Sequence, residues 1–256
     1  MEPVYATIIQ LARLTWRVQG LQFHVTGVEN VPASGGAVIA INHTSYFDFT
    51  FAGLPAYQQG LGRKVRFMAK REVFDHKVAG PIMRACRHIP VDRDNGAAAF
   101  DAAVVLLKAG ELVGVYPEAT ISRSFEIKEL KGGAARMAVA ADVPIIPHRV
   151  GAQRIWTKDH PKKLFRPKVP IAVAVGEPIA PTLPASELTA LLRARMQHLL
   201  EGAGGLRAAP GRGVLGAAPA GGRRAVIGGG SPTRRPGGCR RAARRAEQGG
   251  AAGAVE

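Results

Sequence analysis

Cysteine is nearly missing from this chain: two thiols, Cys86 and Cys239, stand far apart in stretches of unlike character. That argues against a disulfide framework, excludes a four-cysteine metal site and points to a reducing compartment. Long apolar runs are missing too. Crossing a bilayer takes roughly 20 apolar residues, and the least polar candidate, "PVYATIIQLARLTWRVQGLQF" from Pro3, is broken by Arg13 and Arg17. Nor does a basic leader follow Met1-Glu2, so no secretory signal is read there. Acidic residues are scarce, with 19 Asp and Glu against 35 Lys and Arg and a net charge of +16. A surface of that sign suits anionic partners, either phosphate groups or an anionic membrane surface.

What is present falls into three parts. Residues 1–20 predict an amphipathic helix with Val4, Ile8, Leu11, Trp16 and Val18 among polar positions. Two readings stay open for it: a helix lying in the membrane interface, or one docked on the core. Residues 21–200 alternate β-like and helical stretches. Runs rich in Val and Ile at 22–28, 37–42, 65–70, 88–92, 112–117, 143–150 and 169–176 predict strands. Helices are expected at 94–109, capped by Asp94, at 132–141, and over "PASELTALLRARMQHLLEG". Alternation of this kind predicts an α/β domain whose mixed, largely parallel sheet is flanked by helices. From 201 to 256 the pattern stops: Gly, Ala, Arg and Pro supply 43 of 56 residues. Such a segment buries too little to offset its ordering entropy and is expected to be disordered. It holds ten arginines but no aromatic residue to stack on bases, so no nucleic-acid partner is expected. Its residues are those of GC-rich codons, which suggests out-of-frame translation; resequencing across codon 201 tests this, and an intact frame with a tail that binds ligand refutes it.

Four short stretches could carry chemistry. "VIAINHTSYFDFT" runs from a predicted strand into His43, with Asp48 five residues on in the first turn of a following helix. A carboxylate on one imidazole nitrogen fixes the tautomer and leaves the other as a base. An imidazole, mostly neutral near pH 7, can take a proton from a hydroxyl. The same spacing, Ser45-x-x-Asp48, also resembles a helix-capping box. In "RHIPVDRD", Asp92 and Arg93 end a strand, where an arginine can grip a phosphate or simply pair with its neighbour. "YPEATISRS" offers Glu118, Thr120, Ser122 and Arg123 beyond another strand end. "VPIIPHRV" holds Pro144 and Pro147, which suggest an edge strand or a bulge. No Gly-x-Ser-x-Gly elbow is present, against a serine hydrolase, and the histidines lack metal-ligand spacing.

In this order, Asn42-His43 to Asp48, Pro90 to Arg93, Tyr116 to Ser122 and Val143 to Pro147 resemble the glycerolipid acyltransferases, the lysophosphatidate acyltransferase family. "FMAKREVF" around Lys70 and "ELKGGAARMA" around Lys131 resemble its basic segments, and the likeness covers roughly residues 20 to 200. It implies direct acyl transfer from acyl-CoA or acyl-carrier protein to the hydroxyl of lysophosphatidate, with no other cofactor and no metal. It implies that His43 is the base and Asp48 orients it, while Arg93, Glu118, Thr120 and Lys70 bind the acceptor's glycerol-phosphate end. Arg93 and Glu118 would then face His43 across a groove, at the cytoplasmic face of the membrane. The third block departs from the family's Glu-Gly-Thr-Arg, reading Glu118-Ala119-Thr120-Ile121, with Arg123 two positions beyond the missing arginine. Another lysophospholipid or a phosphorylated glycolipid is therefore an alternative acceptor. The rival from another class is a non-enzymatic basic membrane-binding protein.

Overall fold

A computed structural model describes residues 2–59, 62–92, 95–152 and 168–202. Arg93, the predicted cap Asp94, the basic stretch around Trp156 and all but the first two residues of the 201–256 tail lie outside them. Seven strands form one sheet: β1 (Gln22–Thr26), β2 (Ala37–Ile41), β3 (Val65–Lys70), β4 (Ile89–Val91), β5 (Leu112–Val115), β6 (Ile145–Gly151) and β7 (Pro170–Val175). Their order is β1-β7-β6-β2-β5-β3-β4. Every pairing is parallel except β6 with β7, so the sheet is mixed and largely parallel as expected.

The strands of the middle, β2, β5 and β6, are buried along their whole length. That is why β2 and β5 read as unbroken apolar runs rather than alternating ones, while β6 carries His148 and Arg149 within its buried length. Successive residues of β2 nevertheless point to opposite faces. Val38 and Ala40 join Val113, Val115 and Ile145 against α6 (Ala97–Lys108), α7 (Gly133–Ala141) and α8 (Ala185–Gly202). Ala37, Ile39 and Ile41 join Leu112 and Ile146 against the other layer. There α1 (Pro3–Val18), α2 (Asp48–Ala52) and α3 (Leu54–Gln58) pack, with Phe51 and Ala56 buried. The pair α4 (Arg71–Asp75) and α5 (Ala79–Ala85) links β3 to β4.

Helix α1 is docked on the core along one side. The Tyr5 hydroxyl donates to Val65 O at 2.8 Å, and the Trp16 ring lies 5.1 Å from Phe23 and 5.5 Å from Phe51, centroid to centroid. Its other side leaves Leu11, Leu14 and Val18 at 54, 57 and 81% exposure. Among the described residues no helix is long and apolar enough to cross a membrane.

Two expectations need correction. Helix α6 starts at Ala97 with Gly96 before it and no side-chain cap, rather than at Asp94. Of the two readings of the proline-bearing strand, the edge fails and the bulge holds: β6 lies between β2 and β7. A slip of one residue accommodates it, because Ile145 pairs with Ile179 while His148 pairs with Val175. At that slip Pro147 needs only its carbonyl, which accepts the Gly176 N–H at 2.8 Å.

Candidate active site

Parallel pairing sends the carboxyl ends of β2, β3, β4 and β5 to one edge of the sheet, where α/β folds gather ligands. Asn42 finishes β2 in an unusual way. Its carboxamide donates to Val150 O at 3.1 Å and accepts the Val150 N–H at 2.6 Å. This side chain takes over the last rung of the ladder, which lets the chain turn away and carry His43 beyond the sheet.

Five residues later Asp48 opens α2 and is wholly buried, at 0% exposure. Its Oδ2 lies 3.1 Å from His43 Nδ1 and also accepts the N–H groups of Thr44 (2.6 Å) and Ser45 (2.8 Å). The carboxylate thus ties the turn to the imidazole, but no capping box forms: α2 has Phe47 before it with no side-chain cap, and the Ser45 hydroxyl accepts the Phe47 N–H instead. Burial pushes the Asp48 carboxyl up, while the His43 hydrogen bond and the two amides pull it back. With Nδ1 turned to the carboxylate, Nε2 is left for a substrate proton. The ring is 21% exposed and stacks on Tyr116, centroids 4.2 Å apart at 28°. Tyr116 follows β5, the parallel neighbour of β2, so strand pairing itself brings the two rings together.

Glu118 is placed differently from the expectation. It does not face His43 across a groove but braces the histidine's own backbone: Oε1 accepts the His43 N–H at 3.0 Å and Oε2 the Lys128 N–H at 3.3 Å. Because β5 adjoins β2, the residues just past their ends are neighbours. Burial raises the Glu118 pKa, and the two amide donors oppose this. The Ser122 N–H adds a bond to His43 O at 2.7 Å.

The remaining predicted site residues are spread along this edge. Lys70 ends β3 and is exposed, Thr120 is half-buried, and Arg123 is exposed on the loop after β5. Asp92 forms an ion pair with Arg71 at 3.0 Å, while its sequence neighbour Arg93 lies outside the described residues. Ile121, which stands where the resemblance has arginine, is buried, and its carbonyl accepts from Lys128 Nζ at 3.3 Å. Sequence reasoning assigned no role to Tyr116, Asn42 or Lys128. The first two lay inside the quoted motifs, but their roles depend on which strands pair.

Comparison with known proteins follows this geometry. The family model described as Acyltransferase matches residues 22–151, from β1 to the end of β6. The chain is 32% identical over 179 residues to 1-acyl-sn-glycerol-3-phosphate acyltransferase of Bacillus subtilis, covering 68% of this chain and 84% of that one. It is 29% identical over 168 residues to the enzyme of the same name from Limnanthes douglasii, covering 63% and 56%. Its fold matches the crystal structure of the 1-acyl-sn-glycerophosphate acyltransferase of Thermotoga maritima with a TM-score of 0.64, at 21% identity and 81% coverage of both.

Proposed function

The chain belongs to the acyltransferase family, and from that premise we propose that it acylates 1-acyl-sn-glycerol-3-phosphate to phosphatidate in phospholipid biosynthesis. The acyl donor is a thioester, acyl-CoA or acyl-carrier protein. Membership of an enzyme family leaves little reason to keep the non-enzymatic membrane-binding reading.

The observation that carries the mechanism is the 3.1 Å contact between His43 Nδ1 and the buried Asp48 carboxylate. Nε2 of His43 takes the proton of the acceptor hydroxyl, whose oxygen attacks the thioester carbonyl carbon. The tetrahedral adduct collapses, the C–S bond breaks, and the imidazolium returns its proton to the departing sulfur. Asp48 holds the tautomer and offsets the charge on the imidazolium. Tyr116 restrains the ring from one side, and Glu118 and Ser122 fix the peptide that carries it. Lys70, Thr120, Arg123 and Arg93 are assigned to the acceptor's glycerol-phosphate end.

Buried Ile121 favours a second reading, in which the acceptor is another lysophospholipid or a phosphorylated glycolipid. The test is thiol release from acyl-CoA by the purified full chain and by His43→Ala, with and without each acceptor. Release that needs both lysophosphatidate and His43 supports the first reading. Release with another lysolipid alone supports the second, and histidine-independent release removes the mechanism.

A further inference from the structure

Two buried cations among the described residues stand outside that scheme: Arg66, which is paired with Glu2 and Glu111, and Arg149, which has no described carboxylate partner. Arg149 sits on β6, directly before Val150, the residue that the Asn42 carboxamide clamps next to His43. The residue is 9% exposed, and Nε and Nη1 are fully buried with no hydrogen-bond partner. A guanidinium held in that state is costly, and arginine cannot escape by giving up its proton. Burial lowers its pKa and no carboxylate opposes the shift.

Among the described residues no hydrogen-bond acceptor is in place for either of these nitrogens. Arg149 follows His148 and precedes Val150, whose side chain lies with Ile146 on the α2 face, so it points to the opposite, α8 face. On that face Ala174 of β7 stands directly opposite, with Thr26 of β1 in register beyond it. Pro147 and Gly151 flank Arg149 along β6, and Ala172 faces Gly151. Leu199 of α8 closes over Pro147 and Gly176. Glu177, near that end of β7, is paired with Arg195 at 3.6 Å. A cation has thus been retained among small and apolar side chains, two residues from the carboxyl edge of the sheet.

We infer that Arg149 is an anion-binding residue, and that its ligand is a phosphate group of a substrate. The planar guanidinium matches phosphate oxygens well. The anion site rests on geometry alone; its substrate rests on the acyl-transfer reading, in which the acceptor and the acyl donor both carry phosphate.

Thermal unfolding of the full chain and of Arg149→Met, with and without inorganic phosphate, tests the site without any activity. In phosphate-free buffer Arg149→Met is expected to melt at or above the wild-type temperature, because it removes an uncompensated charge. Phosphate is expected to raise the wild-type midpoint and to leave the variant's unchanged. No shift for the wild type, or equal shifts for both, overturns the site. If Arg149→Met does not fold, Arg149→Lys takes its place: a phosphate shift smaller than the wild type's supports the site, and an equal one overturns it. Kinetics then separate the sources. A rise of about tenfold or more in KM for lysophosphatidate, with kcat retained, assigns the acceptor phosphate. The same rise for the acyl donor assigns the donor's phosphate. A phosphate shift with neither KM moved overturns the substrate assignment and leaves a site for free phosphate. A wild type inactive with every acceptor but shifted by phosphate counts against the proposed function and not against the site.

Discussion

Asp48 shows how much one side chain is asked to do. It has no solvent contact, and burial pushes its carboxyl up while an imidazole and two backbone amides, all converging on one oxygen, oppose that shift. Asparagine fits the same space but loses the charge, and it can offer its NH₂ to His43 and so select the wrong tautomer. Asp48→Asn should therefore fold, yet lose about 10²–10⁴-fold in kcat; a steady-state assay beside a melting curve checks this, and near-normal turnover would refute the orienting role. Glu118 is the complementary case, since both its oxygens accept backbone N–H groups. Glu118→Gln leaves one amide facing a donor and should cost about 1–3 kcal/mol of stability, measured by urea unfolding. Ile121 makes a third point. Restoring the family's arginine by Ile121→Arg would place a charge at a buried position, so we expect loss of folded protein rather than gain of affinity.

At the scale of elements, close packing and burial set the predictions. A Cβ at Gly114 would lie 2.6 Å from Phe67 Cδ1 and 2.8 Å from Val65 Cγ1, between β5 and β3. Gly114→Ala should destabilise by about 1–3 kcal/mol unless Phe67 swings away, as a chemical melt would show. His148, buried in β6, titrates at about 4 against the ordinary 6.5, because burial disfavours its charged form. The unfolded chain therefore binds this proton first as pH falls. The contribution of His148 to stability is complete above pH 6.5 and is lost toward pH 4, by an amount on the order of 3 kcal/mol. Half-buried His88, also lowered to about 4, acts in the same direction. His148→Gln should flatten that part of the stability–pH curve, and an unchanged slope would show that His148 does not drive it. The long elements were legible in the sequence because burial on both faces leaves unbroken apolar runs, as in β2, and because α8 repeats its apolar stripe from Leu188 to Leu199, about three turns. Helices α3, α4 and α5 were not, since five to seven residues are too few to establish a period. The slip beside Pro147 was half legible: proline forbids a ladder donor, but only the β7 pairing shows that the strand is internal.

At the scale of the molecule, local spacing and strand pairing divide the site between them. His43 and Asp48 could be joined from sequence because five residues of turn link them. The bonds of Glu118 to His43 and of Asn42 to Val150 span 75 and 108 residues, and they exist only because β5 and β6 flank β2. The same contrast bears on whether α1 meets lipid. The sequence showed an amphipathic α1, and the structure divides it into a docked side, through Tyr5 and Trp16, and an outward side of Leu11, Leu14 and Val18. Exposed leucines of this kind lose nothing in folding if replaced, yet on a bilayer each could bury its side chain, and the basic surface adds attraction to anionic headgroups. The double change Leu11→Glu and Leu14→Glu should leave the melting temperature within error and sharply reduce cosedimentation with vesicles containing anionic lipid. Binding by the parent chain should weaken as salt rises without vanishing, because the apolar contribution is not screened. If the double variant binds vesicles as well as the parent, α1 is a structural helix only and another surface meets the membrane.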